Sequence, residues 1–463
     1  MYDLLILGSG PGGYVAAIRA AQWGLKVGVI EKAPTLGGVC LRVGCIPTKA
    51  LLYSADVYQQ FLHPAEHGIS CENVRLDWAK VQARKNNIVR KHSKGVEFLF
   101  HKHNVDRLTG YGRLLGGGAV LVETAQGARE FSAKHIILAT GSEARLLPGL
   151  AVNPERILTN VEILDLKTIP RSLAILGAGA VGVEFASIYR RFGSEVALLE
   201  LLPRLAPLED KEVSAELERA FKKQGIAIHT GAQVEAVEER KDCVAIPFRD
   251  AVGRGQSLCV EKVLVAVGRK PNTENMGLEN TAIKTDRGFI AVNEWMETAE
   301  AGVYAIGDIV AASPQLAHVA SMEGLVAVGR IAGKTVRPVN YRRVPSCTYC
   351  EPQIASVGLT EAQARAAGFP VKIGKFPFAA NSKSSILGSH GGFVKVVAEE
   401  KYGEVLGVHI IGPSATELIA EAVTAMETEA TVENLMYAIH AHPTLAEAMQ
   451  EAFNAVYGLT IHA

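Results

Sequence analysis

Neither sign of charge predominates in this chain. Its 48 lysines and arginines balance 48 aspartates and glutamates, which leaves no electrostatic case for binding nucleic acid or an anionic membrane. It also lacks any uncharged apolar run approaching the ~20 residues needed to span a bilayer. Met1-Tyr2-Asp3 leads straight into an apolar strand with no basic stretch ahead of it, so no secretory signal is visible. Seven cysteines in 463 residues do not make a secreted disulfide framework. Low-complexity stretches and long linkers are missing too. These absences leave a globular, cytoplasmic enzyme as the simplest expectation. At 48% hydrophobic and 21% charged it has material for sizeable cores, and its length suits about three domains at ~150 residues each.

What is present begins at the N-terminus. Tyr2 to Leu7 reads as a short apolar strand, followed by Gly8-Ser9-Gly10-Pro11-Gly12-Gly13, a helix rich in alanine that closes near Gly24, and a strand ending in Glu31. This is the order strand, G-x-G-x-x-G, helix, strand, acid that binds a dinucleotide. Gly8 makes the turn, Gly10 lets the backbone approach the pyrophosphate, and Gly13 lets helix and strand pack closely. Glu31 accepts hydrogen bonds from a ribose diol. The pattern recurs at Gly177, Gly179 and Gly182, closing at Gly193 and ending in Glu200. In both copies the acid lies 23 residues after the first glycine and the closing glycine 16 after it. Glycine-rich turns are common singly; two in full context and matching register predict two bound dinucleotides. At the second site a 2′-phosphate ~4 Å from the Glu200 carboxylate costs several kcal/mol even at an effective dielectric of ~20, which favours NAD over NADP. Arg191 and Arg204 flank this site and read as solvated surface arginines.

Between the two copies, Cys40 and Cys45 lie in Gly37-Gly38-Val39-Cys40-Leu41-Arg42-Val43-Gly44-Cys45-Ile46-Pro47-Thr48-Lys49. On a regular helix this spacing separates two Cα atoms by roughly 8–9 Å, beyond the ~7 Å reach of a disulfide. The glycines allow the backbone to bend and bring the sulfurs together; the alternative is two buried, inert thiols. Near the C-terminus, His440-Ala441-His442-Pro443-Thr444-Leu445-Ala446-Glu447 places an imidazole at a proline turn ahead of a helix. Glu447 reads either as the carboxylate that orients His442 or as one half of a capping box with Thr444. His440 reads as a structural or secondary polar group. Cys347 and Cys350 form a C-x-x-C in an apparent strand, which puts them on opposite faces, with no second ligand pair.

The cysteine segment, the two fingerprints and the His440–Glu447 stretch together resemble the flavoprotein disulfide reductases, the class I pyridine nucleotide-disulfide oxidoreductases, over essentially the whole chain. Within that family the similarity is to enzymes that oxidise dihydrolipoamide. The resemblance implies FAD in the first site, NAD in the second, a redox-active Cys40–Cys45 disulfide and a homodimer. Cys40 resembles the interchange thiol and Cys45 the thiol nearest the flavin. Lys49 resembles the lysine near flavin N5, paired with a glutamate that matches Glu184. Val303-Tyr304-Ala305-Ile306-Gly307-Asp308 resembles the second FAD motif, with Asp308 on the ribityl chain. Leu316-Ala317-His318 resembles the stretch along the flavin's pyrimidine edge, with Ala317 in the FAD set. Gly141 joins that set and Gly268 the NAD set. His442 resembles the base and Glu447 its orienting carboxylate, a pair that in the family reaches the partner subunit's flavin site. The implied partners are lipoyl domains of 2-oxo acid dehydrogenase complexes or the glycine cleavage H protein.

The implied fold is α/β, with two Rossmann-like dinucleotide-binding domains and a C-terminal α+β dimerisation domain. The segments read as 1–143 (FAD), 144–270 (NAD), 271–342 (completing the FAD region) and 343–463 (dimerisation). Arg42 and Gln315 stand where asparagine and methionine are frequent, changes that leave every group the chemistry needs. Glu200 argues against a glutathione-type reductase, and the tail Gly458–Ala463 lacks the cysteine pair of a mercuric reductase. A transhydrogenase has no need of Cys40, Cys45 and His442 together. A non-catalytic flavoprotein subunit stays open as the reading from another class.

Overall fold

Leu4, Leu5, Ile6 and Leu7 are all at most 2% exposed, so Tyr2–Leu7 is apolar on both faces, as a central strand of a parallel sheet must be. The computed structural model describes all 463 residues and divides into two compact units. One comprises Met1–Ala50, Gln82–Arg145 and Arg269–Tyr341; the other comprises Leu51–Val81, Leu146–Gly268 and Arg342–Ala463. No helix is long and apolar enough to cross a membrane.

In the first unit Tyr2–Leu7 pairs in parallel with Val27–Glu31 on one side and with the second half of Gly127–Leu138 on the other. Asp106–Thr109 and Val303–Ala305 extend the parallel sheet at its two ends. The first half of Gly127–Leu138 turns away to pair antiparallel with Ala119–Thr124, and that strand with Tyr111–Gly116. One long strand thus serves two sheets. Gly8 and Glu31 fall at the carboxyl ends of adjacent parallel strands, where ligands bind in such sheets. The helices Pro11–Gln22 and Ala317–Ile331 cross closely: a Cβ on Gly12 would stand 2.9 Å from the Ala320 carbonyl oxygen, and one on Gly324 2.9 Å from that of Gly12.

The second unit repeats the wiring. Ser172–Leu176 lies between Glu195–Glu200 and Lys262–Val265, with Ala227–Thr230 and Ile157–Leu158 at the edges, all parallel. A small antiparallel sheet centred on Val244–Arg249 follows. It carries a disulfide, Cys243–Cys259, with Cα atoms 5.7 Å apart. The register that pairs Ala245 with Cys259 brings these cysteines together, and their separation in sequence gave no hint of it. The C-terminal segment builds an antiparallel sheet in the order Ser346–Thr348, Gln353–Gly358, Val405–Gly412, Phe393–Glu399, Val371–Pro377. Its core joins these strands to the helices Ala415–Glu427, Val432–Met436 and Glu447–Ala455.

Lys395, in Phe393–Glu399, is fully buried, and its ammonium lies 3.2 Å from Asp210, 2.6 Å from Glu212 and 3.0 Å from Glu361. Asp210 also caps the helix Lys211–Lys223 by accepting the Glu212 N–H. Burial alone would raise the Glu212 carboxyl, but the ammonium groups of Lys375 and Lys395 overcome it and hold it at about 2, below its ordinary 4.5. The stability from Glu212 is therefore complete above its ordinary value and is lost as pH falls toward 2. Lys395→Met strands a buried carboxylate without its cation. We expect it to cost about 3–5 kcal/mol, read as a lowered urea midpoint of the flavin-loaded protein; an unchanged midpoint contradicts the assignment.

Candidate active site

Each of the two dinucleotide fingerprints forms a cradle. Gly8 has a φ of +105°, and a Cβ on Gly13 would lie 2.0 Å from the Gly8 carbonyl oxygen, so both positions require glycine. In the second copy Gly177 has a φ of +98° and a Cβ on Gly182 would lie 1.9 Å from the Gly177 oxygen. Gly179 differs, since a Cβ there would meet nothing within 4 Å; that space suits a ligand's pyrophosphate. The helices Pro11–Gln22 and Ala180–Arg191 start at Gly10 and Gly179 without a side-chain cap. Their first N–H groups are thus suited to phosphate.

The two acids are held alike. Glu31 accepts from the Ser9 N–H at 3.0 Å, the Ser9 hydroxyl at 2.7 Å and the Ala33 N–H at 2.8 Å. Glu200 accepts from the Ala178 N–H at 2.7 Å and the Leu202 N–H at 2.8 Å. Both carboxylates are buried beside their glycine turns. The residues present therefore fit a dinucleotide in each cradle.

Asp308 sits in the short turn Gly307–Ile309. Its carboxylate accepts from the Ser142 hydroxyl, and the Arg269 guanidinium lies 3.7 Å away. Arg269 also donates to the Ser142 carbonyl at 2.6 Å. Gly141, at φ +70°, accepts the Asn272 N–H at 2.9 Å through its carbonyl. Gly268 has a φ of +117°. Ala317 opens its helix at Leu316, again without a side-chain cap. Sequence reasoning missed Ser142 and Arg269, and it missed Glu323. This last is fully buried and accepts from the Gly307 N–H at 2.6 Å, the Ser313 hydroxyl at 2.6 Å and the Tyr341 hydroxyl at 2.7 Å. Burial pushes the Glu323 carboxyl up against those three bonds. The signal available was a lone acid in the apolar helix Ala317–Ile331.

Cys40 lies in the helix Gly38–Val43 and Cys45 begins the helix Cys45–Leu62. Gly44 breaks the path between them. A Cβ on Gly44 would stand 2.9 Å from the Val39 oxygen and 3.1 Å from the Cys40 Cα, so the chain folds back directly over Cys40. Gly38, at φ +63°, brings this helix against the first cradle, where a Cβ would stand 2.5 Å from the Gly10 Cα. The two cysteines stand as thiols, hydrogen-bonded to one another. That bond and burial raise the Cys40 thiol, and the positive charge of Lys49 acts in the opposite direction. Thr48 donates its hydroxyl to the Gly44 carbonyl at 2.7 Å, fixing the turn.

His442 and Glu447 meet in the second unit. The His442 Nδ1 lies 2.9 Å from Glu447 Oε1, and the other carboxylate oxygen accepts the Thr444 N–H at 2.8 Å. Glu447 thus both orients the imidazole and stabilises the turn. The helix begins at Glu447 with Ala446 as its N-cap, so Thr444 is not the capping residue. Burial works against the Glu447 charge, but the Thr444 N–H and His442 outweigh it and leave the carboxyl below its ordinary value. The imidazole is 72% exposed, leaving Nε2 accessible to a substrate.

Glu184, on the helix Ala180–Arg191, accepts the Tyr349 N–H at 2.9 Å. Arg191 corrects the sequence reading. It is not solvated but buried, bound to Asp56 and donating to the Ser187 carbonyl at 3.1 Å. The Arg204 guanidinium, half-buried, donates to the Pro207 carbonyl at 2.9 Å. Cys350 lies beyond the strand Ser346–Thr348, buried, with its sulfur 3.1 Å from the Pro352 oxygen, and Cys347 packs against the C-terminal core.

Two dinucleotide cradles, a thiol pair folded against the first, and a carboxylate-held imidazole define an oxidoreductase that uses dinucleotides and works through sulfur. Residues 2–324 match the model of the pyridine nucleotide-disulphide oxidoreductases and residues 344–453 that of their dimerisation domain, and the chain belongs to this family. Its cofactors are FAD and NAD. It is 46% identical to a dihydrolipoyl dehydrogenase of Bacillus subtilis, covering 100% of this chain and 99% of the relative. It is 42% identical to a leghemoglobin reductase of Vigna unguiculata, covering 98% and 87%. Among solved structures, LpdA from Mycobacterium tuberculosis superposes with a TM-score of 0.90 at 27% identity, covering 97% and 98%.

Proposed function

We propose that this protein is a dihydrolipoamide:NAD oxidoreductase that reoxidises protein-bound dihydrolipoamide. The observation that carries the reading is the Cys40–Cys45 pair, brought together by the bend at Gly44 and held at Gly38 against the first dinucleotide cradle, in a chain whose full-length relatives include several named dihydrolipoyl dehydrogenase. Residues 1–143 and 271–342 form the flavin-binding region in this reading, 144–270 bind NAD, and 343–463 dimerise. The working unit is a homodimer in which His442 and Glu447 of one protomer serve the thiol pair of its partner. Lipoyl domains of 2-oxo acid dehydrogenase complexes or the glycine cleavage H protein present the substrate.

The chemistry begins with a proton. A thiol attacks a disulfide only as thiolate, and His442 Nε2 removes that proton while Glu447 holds Nδ1–H and stabilises the imidazolium. The substrate thiolate attacks the Cys40 sulfur of the oxidised pair, forming a mixed disulfide and releasing Cys45 as thiolate. The second substrate thiol then attacks its own partner sulfur, releasing Cys40 and closing the product disulfide. Two electrons have passed from substrate to the protein pair. Lys49 supplies the positive charge that favours thiolate at Cys40. In the first cradle FAD would supply a two-electron acceptor for the reduced Cys40–Cys45 pair and a hydride donor for NAD. Glu31, Asp308 and the uncapped helix at Ala317 are the groups that hold it. Glu200 sets the choice of nicotinamide cofactor by repelling a 2′-phosphate.

The test is stopped-flow absorbance of the flavin-loaded protein mixed anaerobically with dihydrolipoamide, then with NAD or NADP. We expect rapid reduction by the dithiol, and discharge by NAD at least tenfold faster than by NADP, since ~1.4 kcal/mol of repulsion already gives that factor. A flavin reducible by NADH but not by dihydrolipoamide would point to a different disulfide substrate.

A further inference from the structure

His440, two residues before His442, is half-buried, with its side chain 9% exposed. Its Nδ1 lies 3.0 Å from the Ala438 carbonyl oxygen and its Nε2 3.0 Å from Glu421 Oε1. Both partners are acceptors. A neutral imidazole has a single N–H and can satisfy one of them, whereas the imidazolium donates to both. We propose that His440 is held as an imidazolium and is a positioning residue for His442, its ion pair with Glu421 pinning the segment that presents the base. The inference rests on the reading of His442 as that base.

The surrounding bonds give this ion pair its leverage. The Ala438 carbonyl also accepts from Gln450 Nε2 at 3.0 Å, and Gln450 donates to the Met436 carbonyl at 3.2 Å. Gln450 lies on the helix that carries Glu447, and Glu421 on the helix Ala415–Glu427. One carbonyl therefore joins His440 to the helix bearing the orienting carboxylate, and Glu421 joins it to the other helix. Beyond His442 the chain is fastened again, where Asn381 Nδ2 donates to the Thr444 carbonyl at 3.1 Å and Glu447 accepts the Thr444 N–H. His442 is thus stretched between two anchors, and only the first depends on a titrating cation.

The ionisable groups that face His440 are Glu421 from one helix and, at longer range, Glu447 from the other. The Glu421 hydrogen bond, against the cost of burial, holds the imidazole above its ordinary value. A raised value in the folded protein means the anchor is intact at low pH and is lost as pH rises through that value.

The experiment uses the flavin-loaded protein with 15N-labelled histidine. At pH 7.5 we expect His440, assigned by its loss in His440→Asn, to carry protons on both ring nitrogens. His440→Asn and the conservative Glu421→Gln are expected to keep bound flavin and NADH-to-dye electron transfer. Their kcat for dihydrolipoamide should fall by about 10–100-fold, the scale of a misplaced catalytic group. In Glu421→Gln the alkaline fall of activity should begin at lower pH than in the parent. A neutral His440 ring at pH 7.5, or variants with the parent's kcat and pH profile while His442→Gln is inactive, would overturn the positioning role alone. A His442→Gln protein that oxidises the dithiol normally would overturn the base reading and this inference with it.

Discussion

Cys45→Ser is expected to remove dihydrolipoamide oxidation almost completely, by about 10³-fold or more on the scale of a lost nucleophilic partner, while leaving the protein yellow and able to pass electrons from NADH to a dye. The reason is covalent: with one cysteine no intramolecular disulfide can form, so the substrate's electron pair has no acceptor in the protein. The flavin-binding groups are separate from this loss, since Glu31 is held by Ser9 and Ala33, and Asp308 by Ser142. The turn itself is also spared, because it depends on Gly44 and on the Thr48 bond to its carbonyl. Steady-state assays with dihydrolipoamide and, separately, with NADH and a dye distinguish the two activities. Parallel loss of both would mean that the substitution had disturbed the cradle; survival of dithiol turnover would remove Cys45 from the reaction.

His442→Gln is expected to lower dithiol oxidation by about 10²–10⁴-fold at neutral pH, the usual contribution of a general base. The deficit should narrow as pH rises. Without the base only substrate that is already ionised can attack, and its thiolate fraction grows about tenfold per pH unit below the pKa of its own thiol. The parent, which makes its own thiolate, gains far less. A rate ratio measured from pH 6.5 to 9 tests this, and a ratio that stays constant contradicts the proton-transfer role. Glutamine preserves a polar group at the turn, and Glu447 keeps its bond to the Thr444 N–H, so the helix start is not disturbed with the base.

The glycine fingerprints were legible because they answer to local geometry. Gly8 and Gly177 need positive φ, and Gly13 and Gly182 need the absence of a Cβ, requirements that leave the same residue at the same interval in any chain. The Cys40–Cys45 pair was legible as a possibility, but the bend at Gly44 decided it, since a regular helix would have kept the sulfurs apart. Glu447 shows the limit of spacing: one interval allowed either a capping or an orienting role, and the carboxylate holds the imidazole with one oxygen and the Thr444 N–H of the preceding turn with the other.

Elsewhere the deciding contacts join residues far apart in the chain. Arg191 looked like a surface residue because sequence gives no sign that Asp56 lies beside it. Ser142, Arg269 and Asp308 converge from three segments, and Cys243 meets Cys259 only through strand register. By itself, then, the sequence determined the two nucleotide cradles, their acids and the sulfur chemistry, since each rests on short-range backbone sterics and on side-chain reactivity. Tertiary structure alone decided which charges are buried and what holds them, as at Lys395, Glu323 and Arg191, because burial and ion pairing depend on which distant segments the packing brings together.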